Sequence, residues 1–173
     1  MSAREERFRQ LVYSDSAFVL GYLRNRVPAS GISGPEDLLS EVMAIAWNKL
    51  DSIPDGGERA WLIAVARNRL LNERSKSNRR SRLAFRLRPI PSGPSAEEEW
   101  LADSELQSAL QMLSTLDREV LLLSYWEGLP LKDVATIVGT TERSVASRLT
   151  RAKRNLRCNL SETTADQYEK PKG

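Results

Sequence analysis

Residues 89 to 94 read Pro-Ile-Pro-Ser-Gly-Pro, and no regular element can pass through them. Proline lacks a backbone N–H and holds its predecessor out of the helical region, so three of them within six residues interrupt both helix and sheet pairing. The 173-residue chain must therefore fold as two separate pieces, each closing its own core. On either side the apolar residues recur with helical spacing, and no period-two run bounded by turn residues suggests a strand. The expected fold class is all-α: two small helical domains joined by a flexible linker. Their bounds are 1–80 and 103–160, with 81–102 as linker and a polar, frayed tail over 161–173.

In the first piece, Ser14 and Asp15 are possible caps of a helix ending before Pro28. A second helix, with Ser33 as cap and Pro35 in its first turn, runs to about Leu50. Its apolar face carries Leu38, Val42, Ile45 and Ala46. A third spans about Arg59 to Lys76, with Trp61, Leu62 and Val65 expected in the core. In the second piece Leu106, Ala109, Leu110 and Leu113 share a stripe. Thr115 and Gly128 are read as the start and stop of the next helix. Then "PLKDVATIVG" opens at Pro130, points Leu131, Val134, Ala135 and Val138 inward, and halts at Gly139.

The stretch "TTERSVASRLTRAKRNLR", residues 140–157, decides what such a chain could do. It carries six Arg or Lys and one Glu, although the whole chain has a net charge of only +3. On a helical wheel Val145, Leu149, Ala152 and Leu156 fall within about 60° of one another. Arg143, Ser147, Thr150, Arg151 and Arg154 lie opposite, flanked by Ser144 and Arg148. A short amphipathic helix, a glycine-marked turn and a second helix capped by Thr140 or Thr141 make the helix-turn-helix pattern. One stripe docks the second helix, and the other offers guanidinium forks and hydroxyls to base edges and phosphates.

Charge elsewhere comes in signed blocks. Residues 61–88 hold nine Lys or Arg against Glu73 alone, whereas 36–58 are acidic apart from Lys49. Alternating blocks suit several partners rather than one. Histidine is absent and Cys158 is single, so Ser-His and Cys-His nucleophiles, imidazole metal sites and an internal disulfide are excluded. No glycine-rich phosphate loop or dinucleotide fingerprint is present. No apolar run reaches the roughly 18–20 residues of a membrane span, and the N-terminus lacks the apolar core of a secretory signal. These features suggest a reduced, cytoplasmic protein with no membrane insertion and no expected cofactor. Carboxylate or lysine chemistry stays open in principle, although an enzyme is not the expected reading.

"PEDLLSEVMAIAWNKL" followed by a loop and "RAWLIAVARNRLLNERSKSNRR" resembles regions 2.2 to 2.4 of bacterial sigma factors of the extracytoplasmic-function (ECF) type. "LSTLDREVLLLSYWEGLPLKDVATIVGTTERSVASRLTRAKRNL" resembles region 4 of the same family. The resemblance runs from about Phe8 to Leu160, with both regions in order and a linker where region 3 is missing. It implies an alternative sigma factor that joins core RNA polymerase, contacts its β′ clamp helices and β flap, and directs it to promoter −10 and −35 elements. An anti-sigma factor is an implied partner. Asp37, Ser40, Glu41 and Ala44 are the implied polymerase contacts. Asn68, with the loop from Asp51 to Arg59, is the implied holder of a base flipped from the −10 element. Asn72 lies one turn on, and Arg67, Arg69, Arg74, Lys76, Arg79 and Arg80 are implied backbone grips. Arg143, Ser144, Ser147, Arg148 and Arg151 are the implied readers of the −35 element. Ala146 departs from a common Arg or Lys before the Ser-Arg pair, so only an apolar contact with a thymine methyl is open to it.

Two other readings stand beside this one. A free-standing helix-turn-helix regulator would need a sensing or dimerising domain, for which residues 8–76 offer no motif. A metal-dependent nuclease using Asp37, Glu41 and Asp55 would need a further ligand or base.

Overall fold

The computed structural model describes residues 2–27, 33–87 and 104–168, with the side chains of 74, 76–87, 104, 105 and 162–168 excepted. The chain divides into two compact units, Met1–Glu97 and Glu98–Gly173. Among the described residues there are seven α-helices and no strand, and no helix is long and apolar enough to cross a membrane.

Three helices build the first unit: α1 (Ala3–Arg24), α2 (Pro35–Asn48) and α3 (Glu58–Leu87). α1 begins much earlier than Ser14. Ser2 is its N-cap: the Glu5 N–H donates to Ser2 Oγ (3.2 Å) and the Ser2 N–H donates to Glu5 Oε2 (2.8 Å). That reciprocal pair satisfies two donors that a helix start otherwise leaves open. Asp15, expected at a cap, is buried mid-helix, where it accepts from Arg59 Nε (2.7 Å) and from the Ser14 hydroxyl (2.6 Å). Gly34, not Ser33, caps α2. Its N–H donates to Asp37 Oδ2 at 3.2 Å, and Pro35 fills the first helical position, where no N–H is needed.

The core of this unit joins Val19, Tyr22 and Leu23 of α1 to Leu38, Val42 and Ala46 of α2 and to Leu62, Ile63 and Ala66 of α3. Ile45, Trp61 and Val65 are half-buried rather than central, because Ile63 and Ala66 face the centre instead. Helix α3 also outruns the expected end near Lys76 and enters the stretch read as linker. Residues 77–87 contain no Gly or Pro, and Pro89 is the first residue that a helix cannot absorb. The rest of the expected linker, apart from residues 81–87, lies outside the described residues.

The second unit holds α4 (Ser104–Gln111), α5 (Thr115–Leu121), α6 (Leu131–Val138) and α7 (Glu142–Tyr168). Ser114 rather than Thr115 caps α5, its Oγ accepting the Asp117 N–H at 3.2 Å. After Leu121 the chain widens into a π-helical turn, Leu122–Trp126, where the Glu127 N–H reaches back to the Leu122 carbonyl at 3.0 Å. Gly128 (φ 67°) then reverses the chain. Pro130 stands at the N-cap of α6, one place before the first helical residue.

Gly139 ends α6 in the left-handed conformation (φ 74°), and both it and Thr140 donate backbone N–H groups to the Ala135 carbonyl at 2.9 Å. Only glycine takes that conformation without steric cost, which fixes the exit angle into α7. The buried set includes Leu123, Val134, Ala135, Ile137, Val145, Leu149 and Ala152. Leu131, expected inside, is 37% exposed, and Ile137 takes the inward place. Val138, Leu106 and Leu156 are half-buried. α7 continues through Tyr168, so most of the stretch read as a frayed tail is helical; no Gly or Pro occurs there before Pro171.

Candidate nucleic-acid interface

Val145, Leu149 and Ala152 press one stripe of α7 into the core, which leaves the opposite stripe outward. The start of α7 is fixed by Thr141, whose Oγ1 accepts the Ser144 N–H at 3.2 Å. Arg143, Ser144, Ser147, Arg148 and Arg151 all line one shallow depression of about 350 Å³, together with Thr141. Three guanidiniums, three hydroxyls and a helix N-terminus thus converge on one concave patch. That combination suits an anion flanked by polar edges.

Beneath the patch lies Asp117, 4% exposed, in the first turn of α5. Its Oδ1 accepts from Arg148 Nη1 (2.9 Å) and from Arg151 Nη2 (2.8 Å), while Oδ2 accepts from Arg151 Nε (3.2 Å) and Nη2 (3.1 Å). The Arg151 guanidinium holds the Asp117 carboxyl below the usual aspartate range, against the burial that pushes it up; Arg148 and the Ser114 hydroxyl add to the lowering. Asp117 in turn pushes the Arg151 guanidinium further up from its already high value. Nothing in the sequence pattern singles Asp117 out. An acid in a first turn is the ordinary complement of a helix dipole, and its partners lie 31 and 34 residues away.

On α3 of the first unit, Asn68 and Asn72 are exposed one turn apart, with Leu71 also exposed beside them. Arg67 is half-buried. The side chains of Arg74, Lys76, Arg79 and Arg80 lie outside the described residues. Before α3, the loop after the short 3-10 turn Leu50–Ser52 is tied down from α1. Arg4 donates to Asp51 Oδ2 (2.6 Å) and to the Trp47 carbonyl (2.7 Å). Arg7 donates to the carbonyls of Leu50 (3.1 Å) and Ile53 (2.8 Å) and to Asp55 Oδ1 (2.8 Å). Ile53 is buried, and Gly56 takes a positive φ of 75°. These arginine clasps are functional-looking contacts that sequence reasoning missed.

Asp37, Ser40, Glu41 and Ala44 are all exposed at i, i+3, i+4 and i+7 spacing, and so form one outer stripe of α2. The Ser40 hydroxyl donates to the Glu36 carbonyl (3.0 Å), and Glu41 Oε2 lies 3.6 Å from Arg69 Nε on α3. Asp55 is engaged by Arg7, Glu41 by Arg69 and Asp37 by the Gly34 N–H, so the three carboxylates weighed for a nuclease each serve a different local contact. Among the described residues no group of three or more acids and Cys could hold a metal ion.

Comparison with known proteins finds one family match within each unit. Residues 11–80 match the family model for sigma-70 region 2, and residues 103–156 match that for sigma-70, region 4. The chain is 31% identical over 166 residues to the ECF RNA polymerase sigma factor SigL of Mycobacterium tuberculosis, covering 93% of both proteins. It is 29% identical over 140 residues to the RNA polymerase sigma factor NccH of Alcaligenes xylosoxydans xylosoxydans, covering 75% of this chain and 73% of that one. Among solved structures, the sigma factor RpoE of Bartonella quintana, crystallised with the anti-sigma factor NepR, superposes with a TM-score of 0.61. The two are 28% identical, and the match covers 89% of this chain and 96% of that one.

Proposed function

The chain belongs to the sigma-70 family, as an alternative sigma factor of the ECF type that directs transcription initiation, and from that premise we propose how its surfaces divide the work. The first domain, 1–80, docks on core RNA polymerase and handles the −10 element. The second, 103–160, reads the −35 element with α7. The linker and tail carry no assigned contact. The chain performs no chemistry of its own, because polymerase supplies nucleotidyl transfer, and it works in the cytoplasm.

On α7, Arg143, Ser144, Ser147, Arg148 and Arg151 enter the major groove. Their gathering in one depression is the observation that carries this assignment. Asn68 and Asn72 offer paired donor and acceptor amides to an unstacked base, and Arg67, Arg74, Lys76, Arg79 and Arg80 hold the adjacent phosphates. Asp37, Ser40, Glu41 and Ala44 meet the β′ clamp helices, an acidic stripe suited to a basic partner, while the second domain meets the β flap. An anti-sigma factor is a further expected partner, consistent with the complex in which the similar RpoE was crystallised.

The test is co-elution of the purified protein with bacterial core RNA polymerase, with Glu41→Arg alongside. The substitution cancels the stripe's net charge and sets two guanidiniums against each other where Glu41 now faces Arg69. A stable wild-type complex, weakened at least about tenfold in the variant, is the expected result. A complex indifferent to the substitution would discard this docking face.

A further inference from the structure

A recognition helix gains affinity from every exposed cation, yet the cation cluster of α7 is built over a buried acid. Asp117 withdraws one unit of charge from the three arginines of the depression and weakens their general pull on phosphate. What it adds is direction. Arg151 is gripped through Nε and Nη2 and Arg148 through Nη1, which leaves Arg151 Nη1 and the Nε–Nη2 edge of Arg148 for a base or phosphate. The acid is buried, its two oxygens are engaged by both arginines, and its backbone N–H is bonded to Ser114 Oγ.

We infer that Asp117 is a positioning residue for sequence reading, a buried carboxylate that aims Arg148 and Arg151 so that their remaining donors discriminate between bases. The inference rests on the reading of α7 as the −35 recognition helix. An arginine already held in its fork loses less rotamer freedom on binding, and a wrong base meets donors that cannot turn away. Without Asp117 the same arginines would remain close to DNA and would settle on phosphates. Loss of the acid is therefore expected to lower selectivity rather than affinity.

The experiment uses holoenzyme reconstituted from the full chain and core RNA polymerase. The probe is a duplex pool with fixed flanks and a randomised hexamer at the −35 spacing, and retained molecules are sequenced at two salt concentrations. Wild-type holoenzyme should enrich a defined motif. Asp117→Asn, whose amide N–H groups oppose the guanidiniums, should lose about tenfold of its preference at the positions read by Arg148 and Arg151, against the 5- to 150-fold that a good bidentate contact commands, roughly. Total DNA retention should stay within about threefold and fall at least as steeply with salt.

Asp117→Glu, measured in parallel, keeps the carboxylate but moves it by one methylene away from the geometry that grips both guanidiniums, and should show the same direction of loss. It decides the matter if Asp117→Asn fails to fold. Unchanged preference in folded Asp117→Asn, or in folded Asp117→Glu, would overturn the inference and leave Asp117 as a packing tie between α5 and α7. A uniform loss of retention with the preference intact would do the same. No motif enriched by the wild type would instead overturn the promoter-reading assignment beneath it.

Discussion

Asp117 holds its proton less readily in the folded chain than in the unfolded one, since the Arg151 guanidinium stabilises the carboxylate more than burial disfavours it. Its stabilising contribution is therefore complete at neutral pH. It is lost as pH falls through the ordinary aspartate value, near ~4, and on through the lower folded value. The melting temperature of the wild type should drop faster than that of Asp117→Asn as pH is lowered from about 7 to about 3, so that the gap between them closes. Parallel curves would mean that the paired carboxylate contributes nothing. The exposed Glu36, also lowered by its bond to Arg24, should show no such effect on replacement, because solvent screens that pair. At this scale the sequence is least informative. The α7 cations are legible from their wheel positions, but the acid beneath them is paired across 31 and 34 residues, a distance no periodicity reports.

Helical elements were legible wherever a continuous 3.6-residue pattern ran between strong punctuation. Gly139 and Thr141 bound α7's start as expected, and Val145, Leu149 and Ala152 take the inward stripe. The ends that misled lacked punctuation. α1 starts at a Ser2–Glu5 capping box, not at the equally cap-like Ser14 and Asp15, and α3 and α7 continue into polar sequence that contains no breaker. The loop between α2 and α3 takes its expected role from family likeness, and only the fold reveals its support. Arg7 satisfies two carbonyls and one carboxylate there while about one-third exposed. Arg7→Ala should destabilise the first unit by about 1–2 kcal/mol in chemical denaturation, since water replaces part of what is lost. In holoenzyme it should also slow strand opening severalfold more than it weakens duplex binding, because a loop proposed to help hold an unstacked base must keep its shape. Equal effects on both steps would mean that the clasp serves folding alone.

Taken as a whole molecule, the chain places its two proposed DNA contacts in separate compact units. Tethered contacts raise each other's effective concentration without altering each other's chemistry. Their mutational costs should then add as free energies. Asn68→Ala and Arg143→Ala, tested in holoenzyme on one promoter, should each lower initiation by an amount equivalent to about 1–3 kcal/mol. The double variant should reach their sum within about 0.5 kcal/mol. The signature of division is sharper on altered templates. Scrambling the −35 element should erase the Arg143 penalty and leave the Asn68 penalty standing, while a pre-opened −10 bubble should leave the Arg143 penalty standing and relieve the part of the Asn68 penalty that arises in strand opening. A double variant no worse than its poorer parent would show that the two units do not act on the same promoter at once. The alternating charge blocks would then need another account than the proposed division between a protein-facing surface and two DNA-facing ones.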